Sequence, residues 1–532
     1  MATPAATTER SVRAERTGRF ALLVATGILL SRITGLVRQR FLSHYLGLGD
    51  VADAFNAAFR IPNFLQNLFG EGVLSASFIP VYARLLAEGD DAEASRVAGA
   101  VAALLALTTS LLVLGGVLAA PWLIDVIATG FSGPKRELTI QLVRIFFPAA
   151  GLLVLSAWCL GVLNSHRRFL LSYTAPVMWN LAIIVTLIAY GSRPQASLAI
   201  VAAWGAVVGS ALQFGVQLPT VMRLLRRLRP SLSVASGNVR TVIRNFGPVF
   251  VGRGVVQISA YVDTVLASFL GTGALAGLST AQMLYVLPVS LFGMSVSAAE
   301  LPAMSSAIGE AQEVAAYLRE RLDSGLRRIA FLVVPSAVAF LALGDILAGA
   351  LFQTGHFTRS DTVYVWAILG GSAVGLLAST LGRLYSSTYY ALRDTRTPLR
   401  IAILRVVLTT GLGIIFSFYG PRLFGLELRW GAAGLTVSAG LAAWVEFALL
   451  RRVLNGRIGR TGLTPRFLLQ LWIAALLAAA VAWAIKLAMG VGHPILLAIA
   501  ALAPYGVAYF ALTTAFGLPE ARTILRSLTR RR

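Results

Sequence analysis

Polar residues recur through residues 53–67 at intervals that place them on one side of a helix. They are Asp53, Asn56, Arg60, Asn63 and Asn67, and the residues between them are mostly Ala, Phe, Leu and Ile. A carboxylate, a guanidinium and amides can together bind a ligand that has both charged and hydrogen-bonding groups. The stripe either lines a hydrated cavity or forms a hydrogen-bonded seam against a neighbouring helix. Of these two interpretations, we favour the cavity lining.

Charged residues also lie within other apolar segments, where an unpaired charge is costly. Arg32 and Arg38 lie in the first apolar run, and Arg253 and Asp263 lie in another. Arginine binds phosphate oxygens bidentately and keeps its charge, so Arg32 and Arg38 are predicted to contact an anion. For Arg38, extension of the side chain to the membrane surface is the alternative. Arg253 is either a ligand or a member of a buried ion pair, and Asp263 is a candidate site for a proton or a cation.

The chain that must position these groups has the composition of a membrane protein. Of its 532 residues, 57% are hydrophobic and 13% are charged, and the mean hydropathy is +0.75. A soluble chain of this length would need far more polar surface. The formal net charge of +23 does not indicate nucleic-acid binding, because the basic residues form small clusters between apolar runs.

Fourteen apolar segments are long enough to be predicted as transmembrane helices. The arginines concentrate in alternate connecting segments, which predicts that both termini lie in the cytoplasm. The first two segments, 20–46 and 51–83, are polar enough for a simple hydropathy window to miss them. Residues 1–18 are predicted to be a retained cytoplasmic tail, and residues 520–532 a basic cytoplasmic tail.

Sequence landmarks in the first half of the chain recur 222–225 residues later. They include the pairs Phe69-Gly70 and Phe292-Gly293, and Pro80 and Pro302. The offset spans six predicted helices, so the two copies should have the same orientation in the membrane. We therefore predict an all-α polytopic protein with two related six-helix lobes, 19–223 and 224–455, around a central cavity. Helices 13 and 14, residues 456–519, lie outside the repeat.

Residue counts and spacing exclude several kinds of chemistry. Cys159 is the one cysteine, so no intramolecular disulfide can form. The four histidines are far apart in sequence, and no metal site is expected. Neither Lys135 nor Lys486 lies in the Gly-Lys-Ser/Thr motif of an ATP-binding loop. We expect no catalytic residue and no cofactor, and the energy source would be the membrane potential, a substrate gradient, a partner subunit or a gradient of Na+ or H+.

Several motifs resemble those of the MurJ (MviN) family of lipid II flippases, within the multidrug/oligosaccharidyl-lipid/polysaccharide exporter superfamily. The motifs are SRITGLVR at 31–38, ADAF at 52–55, FRIPN at 59–63, FGEG at 69–72, FIP at 78–80 and RDTRTP at 393–398. The likeness covers essentially the whole chain. It implies two six-helix lobes around a cationic cavity, with helices 13 and 14 forming a groove for an undecaprenyl tail.

The resemblance also implies a substrate and a route. The substrate would be lipid II, an undecaprenyl-diphosphate-linked disaccharide-pentapeptide, moved from the cytoplasmic to the outer leaflet of a bacterial cytoplasmic membrane by alternating access. Arg32 and Arg38 match the helix 1 arginines of the family, and Asp53 matches its helix 2 aspartate. A sodium-site aspartate of some members falls at Asp263, and the residues that would complete that site are Asp394 and Thr410.

The chain departs from the family pattern at positions that carry charge in well-known members. Gln39 follows the second helix 1 arginine where an aspartate is usual, and Gln66 and Met283 replace arginines. Arg60 and Arg253 are expected to supply replacement charge. The predicted substrate-binding set is therefore Arg32, Arg38, Asp53, Asn56, Arg60, Asn63, Gln66 and Arg253.

Three other functions remain open at this point. The chain could transport another undecaprenyl-linked glycan, or it could be a non-transporting scaffold of the cell-wall machinery. A cationic-drug exporter is a weaker alternative, because the arginines in the predicted cavity outnumber the acidic residues. The expected partners are lipid II, membrane lipids and other cell-wall synthesis proteins.

Overall fold

The computed structural model describes residues 26–225, 231–490 and 493–523, with the backbone alone described at Ile61, Glu71 and 251–260. The described residues form helices joined by short connections, and no β-strand occurs among them. The prediction of an all-helical protein is therefore confirmed. The tail predicted at 1–18 and most of the one predicted at 520–532 lie outside the described residues.

The chain divides into two compact units, with the boundary between Val265 and Leu266. The helices of the first unit are α1 (26–46), α2 (Asp50–Phe69), α3 (Glu71–Ser77), α4 (Ile79–Ala87), α5 (Asp91–Leu118), α6 (Ala120–Ile127), α7 (Gly133–Ser165), α8 (Phe169–Ala189), α9 (Gln195–Leu224) and most of α10 (Gly237–Ser268). The helices of the second unit are α11 (Ala274–Pro288), α12 (Ser295–Ser305), α13 (Ala311–Phe352), α14 (Arg359–Ala391), α15 (Arg396–Phe418), α16 (Gly420–Leu423), α17 (Gly431–Ile458), α18 (Pro465–Met489) and α19 (Pro494–Ala515).

The unit boundary differs from the lobe boundary predicted after residue 223, because most of α10 belongs to the first unit. The Nη2 atom of Arg84 donates to Oδ1 of Asn238 at 2.8 Å. Farther along α10, Phe246 and Phe250 pack against Phe69, with ring centroids 5.6 and 5.3 Å away. These contacts hold α10 against the α2–α4 segment.

Eleven spans among the described residues are long and apolar enough to cross a membrane. Helix α2 is not among them, because its charged and amide side chains lower its mean hydropathy. This was expected of the segment 51–83. Helices α1 and α10 adjoin or include residues outside the described ones, at 1–25 and 251–260, and are not part of this count. In α2, the residues of the candidate site therefore also weaken the membrane signal.

One long helix forms the centre of each unit. In the first unit, 72% of the most apolar stretch of α7 is buried, more than in any other span of that unit. In the second unit the corresponding helix is α14, with 78% buried. Burial on all sides requires apolar residues around the whole helix, which is the pattern of α7. The other spans expose apolar side chains, as helices that contact lipid do.

The repeated Phe-Gly motif lies at a helix irregularity in both units. Gly70 separates α2 from α3 and has an extended backbone, and a Cβ atom there would collide with the backbone oxygen of Gln66. In the second unit, Gly293 lies within a π-helical segment, Val289–Met294, that joins α11 to α12. A Cβ atom on Gly293 would lie 3.1 Å from Cγ2 of Thr380. Each copy of the sequence repeat therefore carries a break in regular helical hydrogen bonding.

Helix α19 is attached to α13 through the backbone of α13. Because Pro335 has no N–H, the carbonyl of Phe331 lacks its usual helical donor. The hydroxyl of Tyr509 donates to that carbonyl at 2.6 Å, and the hydroxyl of Tyr505 donates to the carbonyl of Pro335 at 2.6 Å. Both tyrosines are buried. The proline thus creates an acceptor that the neighbouring helix satisfies.

We expect Tyr509→Phe to lower the stability of the protein by about 1–3 kcal/mol, since it leaves a buried carbonyl without a donor. Tyr505→Phe is the matched control and should cost less, because α13 continues beyond Pro335 and offers that carbonyl a helical N–H. Thermal unfolding of the purified variants in detergent measures both effects. Equal losses for the two variants would show that the Phe331 carbonyl does not depend on Tyr509.

Candidate functional site

Helix α1 packs closely against α8 through small residues. Gly27 is buried, and a Cβ atom there would lie 2.6 Å from the Cβ atom of Tyr173. Ser31 and Gly35 follow at four-residue intervals on the same face of α1. Small residues of this kind let two membrane helices approach closely. The approach directs the next polar residue on this side of α1, Arg38, towards α8.

Arg38 is held inside the first unit by neutral groups of α8. Its Nη1 atom donates to Oδ1 of Asn180 at 3.0 Å, and its guanidinium carbon lies 4.6 Å from the ring centroid of Trp179. The Nε–H of Arg38 is buried, and no acceptor among the described residues receives it. The side chain therefore contacts α8, and a guanidinium with neutral neighbours keeps a net positive charge.

The amide of Asn180 is oriented by a second set of contacts. Its Nδ2 atom donates to the carbonyl of Pro176 at 3.3 Å and lies 3.4 Å from Oγ1 of Thr34. The hydroxyl of Thr34 is itself bonded to the backbone of α1, at Leu30 and Ser31. With Nδ2 engaged in this way, Oδ1 of Asn180 is directed at Arg38.

The structure does not bring Arg32 together with Arg38. The two residues are six positions apart on one helix, which corresponds to about 9 Å along the axis and about 120° around it. Arg32 lies on the exposed side of α1 beside Leu29 and Ile33, which are 56% and 49% exposed. The predicted role of Arg32 in anion binding stays a prediction.

Asp53, predicted to bind substrate, is fully buried and forms an ion pair. Its Oδ2 atom lies 2.7 Å from Nζ of Lys135, which also lies 2.9 Å from Oδ1 of Asp50. The lysine packs 4.3 Å from the ring centroid of Phe131. Asp53 also lies in the first turn of α2, where a negative charge is favoured by the helix dipole. This geometry gives Asp53 a role in joining α2 to α7.

Arg60 joins α2 to α10. Its Nη1 atom donates to Oγ1 of Thr264 at 2.6 Å, and the hydroxyl of Tyr261 donates to its carbonyl at 3.3 Å. The carboxylate of Asp263 is near enough to attract the guanidinium electrostatically. Asn56, one turn earlier, donates through Nδ2 to the carbonyl of Ala52 at 2.8 Å.

Asn63 and Gln66 lie on the wall of a small, partly open cleft in the first unit. The cleft is also lined by Phe59, Pro62, Phe146, Ala149, Ala150, Leu153, Trp179 and Ala206. Its polar groups come from α2, and its aromatic groups come from α2, α7 and α8. Amides beside aromatic rings suit a ligand that has both hydroxyl groups and apolar faces.

The polar stripe on α2 therefore has two roles in the structure. Asp53 and Arg60 form contacts between helices, which was the alternative interpretation. Asn63 lines a cleft, which was the favoured one, and Gln66, outside the stripe, lies beside it. Arg253 lies on α10, and its side chain is outside the described residues.

The three predicted cation ligands do not form one site. Asp394 precedes α15, and Thr410 lies fourteen residues after the first residue of that helix, so the two are separated by about 21 Å along the axis. A shared ion would need both within coordination distance. Asp263 lies on α10, and its role at a cation site stays a prediction. Among the described residues, no group of three His, Cys, Asp or Glu side chains could hold a metal ion.

The carboxylate of Asp394 is instead occupied by donors at the start of α15. Oδ2 accepts from Oγ1 of Thr397 at 2.6 Å and from Nη1 of Arg457 at 2.7 Å. Oδ1 accepts from the backbone N–H groups of Arg396 and Thr397. The Thr397 hydrogen bonds and the nearby Arg457 hold the pKa of the Asp394 carboxyl well below its usual range. This pattern caps α15.

Three residues of the site were missed by the sequence analysis. Trp179 and Asn180 lie in an apolar run, and the signal available was an amide beside a tryptophan in the middle of a predicted membrane helix. Lys135 was considered only in excluding an ATP-binding loop. Lysine is rare in this chain, which has only two, and this rarity could have drawn attention to Lys135.

The proteins that are similar to this chain in sequence share one description. The family described as lipid II flippase MurJ matches residues 42–516 of the chain. A lipid II flippase MurJ of Burkholderia cenocepacia is 33% identical over 473 residues, which are 86% of this chain and 88% of the relative. A probable lipid II flippase MurJ of Vibrio cholerae is 30% identical over 449 residues, which are 82% of each chain.

Solved structures show the same fold. A lipid II flippase MurJ in an inward closed conformation has a TM-score of 0.77 at 23% identity, covering 93% of this chain and 98% of that chain. An inward-facing multidrug resistance MATE family transporter of the MOP superfamily has a TM-score of 0.65 at 18% identity, covering 82% of this chain and 98% of that chain. The extent of the family match and the identity to the curated relatives together show that the chain belongs to the lipid II flippase MurJ family.

Proposed function

We propose that this protein moves lipid II from the cytoplasmic to the outer leaflet of the bacterial cytoplasmic membrane by alternating access. The relatives named lipid II flippase MurJ support this substrate. Family membership also supports a transporter without catalytic residues. The single structural observation that carries the proposal is Arg38, a half-buried guanidinium whose partners among the described residues are neutral side chains. Such a group can receive an anionic oxygen without first breaking an ion pair.

The chemistry of the site suits the head of a diphosphate-linked glycolipid. Nη1 of Arg38 is bonded to Asn180, which leaves the Nε–Nη2 edge of the guanidinium for a bidentate phosphate contact. In the cleft, Asn63 and Gln66 offer amides to sugar hydroxyls beside the rings of Phe59 and Trp179. Binding becomes transport when the inward and outward states hold the head group with different affinities.

The architecture that we propose adds three helices to the eleven apolar spans. Helices α1, α2 and α10 would also cross the membrane, which gives fourteen helices with both termini in the cytoplasm. The six helices of each repeat would form a lobe, and α18 and α19 would form a groove for the lipid tail. Exposed apolar side chains on α18 and α19 support this groove: Leu487, Leu496, Ile499 and Val507 are 62–72% exposed.

Asp263 is the candidate residue for coupling to an ion. Asp394 and Thr410 do not fit a shared cation site, because one caps a helix and the other lies about 21 Å away along it. We retain Asp263 as the position at which Na+ or H+ would act. Its carboxylate lies near Arg60, so its charge is balanced by a guanidinium of α2 in this conformation.

Arg38→Ala should reduce lipid II translocation about 10- to 100-fold, the range expected for loss of a charged hydrogen bond. The assay reconstitutes the protein with labelled lipid II and measures how much of the label becomes accessible in the opposite leaflet. Complementation of a strain depleted of its own flippase should fail in parallel. Arg96→Ala is the control, because the Arg96 side chain is 66% exposed in the same unit.

The same assay separates the alternative functions. Binding of lipid II by the unmodified protein without any change in leaflet accessibility would favour a scaffold. Translocation of a different undecaprenyl-linked glycan in preference to lipid II would identify that glycan as the substrate. Full translocation by the Arg38→Ala variant would remove Arg38 from the substrate site.

Lys135→Ala should destabilise the protein by about 3–5 kcal/mol, because it leaves Asp53 buried without its partner cation. The double variant Lys135→Ala with Asp53→Ala should recover part of that loss, since no buried charge remains. Thermal unfolding measures stability, and the translocation assay measures function. If the double variant is as stable as the unmodified protein but does not translocate lipid II, Asp53 contributes directly to substrate handling.

A further inference from the structure

Trp179 is placed to control the orientation of Arg38. The guanidinium carbon lies 4.6 Å from the centroid of its ring. Phe59 of α2 stacks on the same indole, with centroids 5.5 Å apart and ring planes 25° apart. Phe59 is supported in turn by Phe146 of α7, at 5.5 Å between ring centroids. The indole is therefore fixed by two helices besides its own, and it offers Arg38 a rigid surface.

Arg38 has two kinds of contact, and they restrict different motions. The indole restricts the tilt of the guanidinium plane, because a cation is attracted to the face of an aromatic ring. The hydrogen bond to Asn180 restricts rotation within that plane, because it fixes Nη1. Without these contacts, a long arginine side chain would sample many rotamers. With both contacts, the Nε–Nη2 edge has one orientation.

Two buried donors in this cluster have no acceptor among the described residues. They are the Nε–H of Arg38 and the Nε1–H of Trp179. Neither group can act as an acceptor, so each requires an acceptor from elsewhere when it is removed from water. Trp179 also lies on the wall of the cleft with Asn63 and Gln66. A ligand rich in oxygen acceptors fits this arrangement.

We propose that Trp179 is a positioning residue, which together with Asn180 holds the Nε–Nη2 edge of Arg38 ready for the diphosphate of the lipid substrate. This inference rests on the proposed function, since it assumes that Arg38 binds the substrate head group. Trp179 acts through Arg38, and its removal should weaken binding without changing the charge of the site.

The test measures binding and translocation of lipid II by the full-length protein in lipid nanodiscs and vesicles. Trp179→Leu should weaken binding about 5- to 30-fold, the range for loss of a desolvated cation–π contact. Trp179→Phe retains an aromatic face and should stay within about threefold of the unmodified protein. Trp204→Leu is the matched control, because Trp204 is 54% exposed in the same unit. It should have no effect.

A double-mutant cycle tests whether Trp179 acts through Arg38. In an Arg38→Ala background, Trp179→Leu should cause no further loss of binding, because the group that it positions is gone. An equal loss in both backgrounds would overturn the proposal, and so would unchanged binding by Trp179→Leu alone. If Arg38→Ala itself binds and translocates lipid II normally, the proposed substrate site is wrong. The positioning role of Trp179 is then wrong as well, because it depends on substrate binding by Arg38.

A second variant keeps the proposal testable if Trp179→Leu does not fold. Asn180→Asp has nearly the same shape and gives Arg38 a fixed carboxylate partner. That partner should compete with the substrate and reduce binding to the level of Arg38→Ala, while thermal unfolding shows an intact protein. Unchanged binding by Asn180→Asp would contradict the orientation assigned to Arg38.

Discussion

A charge within the hydrocarbon part of a membrane must be compensated, and this constraint accounts for several of the polar contacts between the described helices. Three carboxylates in the helices have basic partners at hydrogen-bonding distance. The pairs are Asp53 and Lys135 at 2.7 Å, Glu446 and Arg405 at 2.7 Å, and Asp345 and Lys486 at 2.6 Å. Arg38 differs from these residues because its described partners are an amide and an aromatic ring. Neutral partners stabilise the side chain and leave its charge available.

The distribution of charge also explains how far the sequence could predict the fold. Apolar runs and alternating arginine clusters were enough to predict an all-helical membrane protein and most helix positions. They do not show which unit α10 packs in: most of this helix, predicted as the first of the second repeat, lies in the first compact unit. The contacts that place most of α10 in the first unit join Arg60 to Thr264 and Phe69 to Phe246, residues far apart in sequence. A periodic pattern shows that such residues share a face, but it does not show what that face contacts.

The same limit applies to the candidate site. Helical spacing placed Asn63 on the polar stripe of α2, and Asn63 lies on the wall of a cleft, whereas its neighbour there, Gln66, was not part of that stripe. It could not show that Asp53, on the same stripe, is paired with Lys135, because that partner follows four intervening helices. Resemblance alone was also insufficient for the cation ligands. Asp394 and Thr410 match positions in a pattern, yet the regular rise of α15 separates them by about 21 Å.

The attachment of α19 to α13 has a consequence for how the sequence of α13 can diverge. Tyr505 and Tyr509 donate to main-chain carbonyls, and every residue type supplies a carbonyl. Substitutions on this side of α13 can therefore accumulate without removing the acceptors. Only the proline at position 335 is needed to keep the Phe331 oxygen free of its own helix. Helix α19 can thus keep its contacts with α13 while the side chains of α13 change over evolutionary time.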